Sequence, residues 1–207
     1  IAGVFVDGRY RVQVRQQVAD DFTPVHWPET ALGDWIAEHG APGAKIAFDP
    51  WLHTPREVTK LRARLEAAGM ELVKTTNLID AIWEDRPARP MARAFAHPIE
   101  LAGESAEDKR ACLAQVMRDA GEKAVLLTNV RGTDIVRNPI VQSFAILHDD
   151  ARVSLFIENE KLVDLDLDVE VMAPELLRAS LSALTGAVRY DPETCPQALA
   201  DALNSET

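Results

Sequence analysis

Short β-branched apolar runs alternate along this chain with stretches in which apolar residues recur every three or four positions, the signature of strands interleaved with amphipathic helices. The pattern predicts a strand over 4–6, a turn at Asp7-Gly8, and a helix over 9–19 with Tyr10, Val14 and Val18 on one face. A second strand over 22–26 follows, then a short helix presenting Leu32, Trp35 and Ile36 and stopped by Gly40, and a third strand over 45–49. Thr54-Pro55-Arg56-Glu57 combines a threonine cap, proline at the first helical position and glutamate three residues after the cap. It predicts a helix carrying Val58, Leu61 and Leu65 inward and ending at Gly69, before a strand over 71–74. Such alternation implies an α/β fold with a mostly parallel sheet under covering helices. The chain opens at Ile1 already in a strand, and a strand needs a neighbour for its backbone groups, so further residues are expected before it.

Residues 84–103 carry Pro87, Pro90 and Pro98 with little periodicity beyond a candidate strand over 91–96, and read as a connection between two domains, 1–86 and 87–207. In the second, Ser105 caps a predicted helix to Ala120 with Leu113, Val116 and Met117 inward and Gly121 as stop, followed by a strand over 124–127. A hairpin is predicted from 143–147 and 153–157, then a strand over 168–172, a helix from Pro174 to Gly186, a strand over 188–190 and a helix over 195–203.

Charge narrows the partners: 22 basic against 33 acidic residues leave a net −11, which argues against nucleic acid and anionic membrane surfaces. Only two cysteines occur, Cys112 and Cys195, far apart and outside any C-x-x-C, which suits a reducing compartment. No apolar run approaches a membrane span and no signal-peptide pattern is present, so the predicted location is cytoplasmic.

The chain has no G-x-S-x-G, Walker loop, G-x-G-x-x-G or H-E-x-x-H. Its five histidines never pair at metal-ligand spacing, and no catalytic or metal-ligating residue is assigned. Asp164, Asp166 and Asp168 alternate with leucines and read as the solvated face of an edge strand rather than a calcium site; Cys112 shares a helix side with Val116 and reads as a small core residue. Two constellations remain. Arg9, just after a strand-to-helix turn, reads either as a surface arginine, which pattern alone favours, or as a clamp for a carboxylate or peptide carbonyl. In Asn129-Val130-Arg131-Gly132-Thr133-Asp134 with Asn138-Pro139, an Arg131–Asp134 pair either fixes the loop, the favoured reading, or lines a cleft.

Three stretches in this order, 4–10 (VFVDGRY), 79–87 (IDAIWEDRP) and the loop from Asn129, closely resemble the three-domain Xaa-Pro aminopeptidases (aminopeptidase P). The resemblance covers their two N-terminal, creatinase/prolidase-type domains, each a mixed β-sheet covered by helices, and stops short of the catalytic domain. It implies that the parent protein removes the N-terminal residue preceding a proline, using two divalent metals, usually manganese in that family, held outside this sequence. None of the family's metal ligands maps onto a residue here, and the chain alone is expected to hydrolyse nothing. The resemblance makes Arg9 the peptide-binding residue, with Asp7 and Tyr10 as its scaffold, and leaves Arg131 and Asp134 as a possible cleft loop. Partners implied are peptides with proline at position two and a second copy in a homodimer. Compared with the family, the first domain lacks its opening strands and several residues are missing between Thr128 and Asn129. A non-enzymatic protein-binding module of histone-chaperone type is the alternative; creatinase or prolidase proper fits less well, having one such domain where two are counted.

Overall fold

The computed structural model describes residues 1–128 and 141–204, and the chain divides into two compact units: Ile1–Asp49 with Arg56–Asn77, and Pro50–Pro55 with Leu78–Thr207.

In the first unit, β1 (Ala2–Val6) leads through α1 (Arg11–Gln17) to β2 (Phe22–His26), which pairs with β1 in parallel so that Val6 stands opposite His26. The helix buries Val14, and Val25 is buried on β2. Helix α2 (Leu32–His39) sets Trp35 edge-on against Phe5, ring centroids 5.8 Å apart, and its last residue, His39, stacks on the same indole. A second crossover joins β3 (Lys45–Phe48) through α3 (Pro55–Glu66) to β4 (Glu71–Lys74), again in parallel. Between them lies a small core of Phe48, Val58, Leu65, Met70 and Leu72. The strands over 22–26 and 71–74 and the Gly40 stop stand where the sequence places them. Gly69 ends the α3 turn with φ +72°, a left-handed conformation that only glycine adopts without strain.

The second unit begins with extended chain, a short helix α4 (Ile99–Ala102), and α5 (Ala106–Asp119). Ser105 Oγ accepts the Asp108 N–H at 3.0 Å, a cap that contributes about 1 kcal/mol. Five strands form one mixed sheet in the order β8-β7-β6-β5-β9: β5 (Ala124–Thr128), the antiparallel hairpin β6 (Phe144–His148) and β7 (Val153–Phe156), β8 (Glu170–Met172) and β9 (Val188–Arg189). The two outer strands pair in parallel with their neighbours. One face of the sheet, with Leu126, Ile146 and Phe156, packs on Leu177 and Leu181 of α6 (Leu177–Ser182) and Leu199 of α7 (Gln197–Leu203). On the other cluster, Leu147 packs against Ala114 and Met117 of α5. Helix α7 has no side-chain cap. Its first two N–H groups donate instead to the carbonyls of His53 and Pro50, at 2.8 and 2.9 Å, which places residues 50–55 with this unit.

Four expectations are corrected. Helix α5 buries Ala114 and Met117, while Leu113 and Val116 are nearly half exposed. The small Ala114 lets the helix approach the sheet closely, and that geometry outweighs the larger apolar stripe one step around the helix. Cys112 does share a side with Val116, but it is the exposed side. Residues 91–96 form no strand; within the stretch Ala94 N–H donates to the Lys161 carbonyl at 2.8 Å, and flanking prolines limit further pairing. Asp164, Asp166 and Asp168 lie in a loop, Asp164 with φ +67°, and β8 starts only at Glu170. Among the described residues no helix is long and apolar enough to cross a membrane.

Candidate functional site

Parallel strands joined by right-handed crossovers carry their carboxyl ends to the same edge, the usual place for a ligand in an α/β unit. Here the edge of β1 and β2 collects two loops. As β1 ends at Val6, the Asp7 carboxylate accepts the Arg9 backbone N–H at 2.8 Å and winds Gly8–Tyr10 into one 3-10 turn. The same carboxylate then grips the Arg9 side chain, accepting from Nε at 3.1 Å and from Nη2 at 2.5 Å. The guanidinium also lies 5.7 Å from the Tyr10 ring centroid, within cation–π range. Held from below, the Arg9 side chain is 81% exposed, against 25% for Asp7. The hydrogen bonds from Arg9 hold the Asp7 carboxyl below its usual range, and the carboxylate in turn raises Arg9 above its own. The pair is therefore fully ionised at neutral pH. Asp7 takes up Nε and Nη2, which leaves the Nη1 donors of this exposed side chain able to donate to a carbonyl or carboxylate.

The second loop leaves β2. Trp27 N–H donates to the Val6 carbonyl at 2.9 Å, which puts Trp27 beside the base of the Asp7 turn with its side chain about half exposed. Glu29 pairs with Arg11, and the Arg11 hydrogen bond holds its carboxyl below the usual range. Sequence reasoning singled out Asp7, Arg9 and Tyr10 and missed Trp27, Glu29 and Arg11. The available signal was the predicted β-α-β unit itself, because parallel pairing brings the residues after both strands together.

In the motif at 79–87, Arg86 pairs with Asp80 and lies 5.8 Å from the Trp83 ring, while Trp83 N–H closes a turn on the Ile79 carbonyl. These contacts organise the segment and leave Arg86 engaged. In the groove between α5 and residues 167–170, Arg110 is bound to Asp168 and Arg152 to Asp150. Lys161 is 3% exposed and paired at 3.0 Å with Glu158, which also faces Arg89 at 3.8 Å. Burial pushes the Glu158 carboxyl up, but its backbone hydrogen bond and the two cations outweigh this and hold it below the usual range. Cys195 is buried and its thiol pushed up to about 11, an inert packing residue. Arg131 and Asp134, with the rest of their loop, lie outside the described residues. No group of three or more histidine, cysteine or acidic side chains able to hold a metal occurs among the described residues. The side chains described do not fit a metal centre, and no step is assigned to one in this chain.

Two models of the creatinase/prolidase N-terminal domain match the chain, one over residues 2–82 and the other over 85–207. The chain belongs to the creatinase/prolidase N-terminal domain family. Family members similar to it include aminopeptidase P1 of Arabidopsis thaliana, 32% identical over 79% of this chain and 27% of that protein. A probable Xaa-Pro aminopeptidase P of Talaromyces stipitatus is 33% identical over 89% of this chain and 31% of its own length. This chain thus spans under a third of either relative. The fold also matches the crystal structure of X-prolyl aminopeptidase from Caenorhabditis elegans, a cytosolic enzyme with a di-nuclear active site, with a TM-score of 0.83 at 24% identity, over 97% of this chain and 37% of that one.

Proposed function

We propose that this chain forms the two N-terminal domains, 1–86 and 87–207, of a metal-dependent Xaa-Pro aminopeptidase, a cytoplasmic homodimer acting on peptides with proline at position two. In that role the domains cap a catalytic domain that supplies two divalent metals, with manganese as the metal we infer. They restrict entry to short unfolded peptides and position the substrate, while the metals supply the nucleophile. Arg9 is the substrate contact, Asp7 and Tyr10 its scaffold, and Arg131 and Asp134 belong to a loop facing the cleft. The observation that supports this reading most is the Asp7–Arg9 fork: an exposed guanidinium fixed in direction by a carboxylate on its own turn. Preorganising a donor in this way lowers the entropy lost when a peptide binds.

The test is made in the longer polypeptide carrying this chain and a catalytic domain. A charge-assisted hydrogen bond contributes about 1.5–3 kcal/mol, so Arg9→Ala should raise KM for an Xaa-Pro-Xaa peptide by roughly ten- to a hundredfold. A smaller change in kcat is expected, because the contact is made in ground state and transition state alike. An Arg9→Ala enzyme with the parent's KM and kcat/KM would remove Arg9 from the site.

A further inference from the structure

The Asp7–Arg9 fork and the half-exposed Trp27 stand at the carboxyl ends of two paired strands, and their relation says what kind of peptide this edge takes. Asp7 already compensates the charge of Arg9. A compensated guanidinium keeps its directional N–H donors but loses most of its preference for an anion over a neutral acceptor. A free C-terminal carboxylate placed here would also face the Asp7 carboxylate. The edge therefore suits an internal peptide carbonyl, and a peptide held by an internal carbonyl continues past the fork.

The geometry sets where it goes. Trp27 N–H is bonded to the Val6 carbonyl, and Arg9 follows Val6 by three residues through a contracted 3-10 turn. By chain dimensions alone the Trp27 and Arg9 Cα atoms are at most about 14 Å apart. An extended or polyproline II peptide advances about 3.1–3.4 Å per residue. A peptide held at Arg9 therefore needs to run only a few residues to pass the loop that carries Trp27. Trp27 is 54% exposed and Tyr10 49% exposed. Exposed aromatic faces of this kind bind proline rings and aromatic side chains of extended peptides.

We propose that Trp27 is a specificity-determining residue of this edge: Arg9 grips an internal backbone carbonyl, and the Trp27 indole receives an apolar ring, proline or aromatic, further along the same peptide. The ligand class is then peptides that carry such a ring beyond the carbonyl held by Arg9. The inference rests on the reading of Arg9 as the peptide contact.

Nuclear magnetic resonance titrations of the isotope-labelled 207-residue chain test both. The probes are C-terminally amidated Ala-Pro-Gly-Gly-Gly-Gly and the same peptide with Phe in turn at positions three to six. At one position Phe should tighten binding roughly five- to tenfold over Gly and shift the Trp27 indole N–H resonance. The acid and amide forms should bind within about twofold of each other. Trp27→Ala should bring the Phe/Gly ratio to about one, and Trp27→Phe should restore part of it, which separates loss of the ring from a local folding defect. Arg9→Lys should weaken both peptides alike and leave the ratio standing. A ratio that survives in Trp27→Ala, or that never exceeds about two in the parent, overturns the role of Trp27 and leaves Arg9 in place. Peptide binding indifferent to Arg9→Lys, or no binding by the parent, overturns the reading of Arg9 and this inference with it.

Discussion

Replacing Glu158 by glutamine is expected to destabilise the second unit by about 3–5 kcal/mol, because Lys161, 3% exposed, then keeps a buried charge with no anion beside it. The exposed Arg89, 3.8 Å from the carboxylate, contributes little to that figure. Adding Lys161→Met should recover most of the loss, since an apolar chain of similar length needs no partner. Denaturant unfolding of the parent, the single and the double variant measures this, and a Glu158→Gln midpoint equal to the parent's would show that the pair is not what holds Lys161. The pH dependence has a definite sign. The folded Glu158 carboxyl lies below its ordinary 4.5, so its contribution is full above about pH 5 and disappears as pH falls through the lowered folded value. Acidification should therefore weaken the parent in that window more than it weakens the double variant.

Leu65→Ala should have a comparable effect on the first unit and a larger consequence. Leu65 is fully buried, and truncating a buried leucine costs about 2–5 kcal/mol, depending on how far the cavity collapses. A unit of roughly seventy residues has a total stability of only about 4–10 kcal/mol. Its core around Leu65 comprises Phe48, Val58, Met70 and Leu72, with few neighbours to close the gap. The variant is expected to leave this unit partly unfolded at 37 °C, lowering the near-ultraviolet signal of the Trp35 environment, whereas Leu65→Met should cost under about 1.5 kcal/mol. Since the Asp7–Arg9 turn belongs to the same unit, the peptide binding proposed for Arg9 should fall with the folded fraction. A Leu65→Ala chain that unfolds like the parent would mean that this core does not carry the unit.

Much of the fold was legible because the local signals are strong where the helices begin and end. Thr54-Pro55-Arg56-Glu57 marks the start of α3, Ser105 that of α5, and Gly40 and Gly69 are stops whose chemistry is local. The failures fall where two apolar choices compete. Leu113 and Val116 outweigh Ala114 in hydrophobicity, yet a helix packs with the face that fits, and Ala114 fits against Leu147. The aspartates at 164, 166 and 168 alternate as a strand would, but the chain turns through a positive φ at Asp164 and joins no sheet before Glu170. At the site, Asp7, Arg9 and Tyr10 stood out in sequence, whereas the fork between Asp7 and Arg9 and the arrival of Trp27 did not. One depends on a rotamer and the other on strand register.

The amino-acid sequence alone determined the alternation of strands and helices, the helix termini, the acidic character that disfavours nucleic acid, and the motifs that tie the chain to its family. Each is written in residue type and spacing over a few positions. The tertiary structure decided which side of α5 is buried, that residues 50–55 supply carbonyls to α7, that Lys161 is sealed against Glu158, and that Trp27 stands beside the turn bearing Arg9. All four join residues distant in sequence or turn on the shape of a packed surface, and no local pattern encodes that shape.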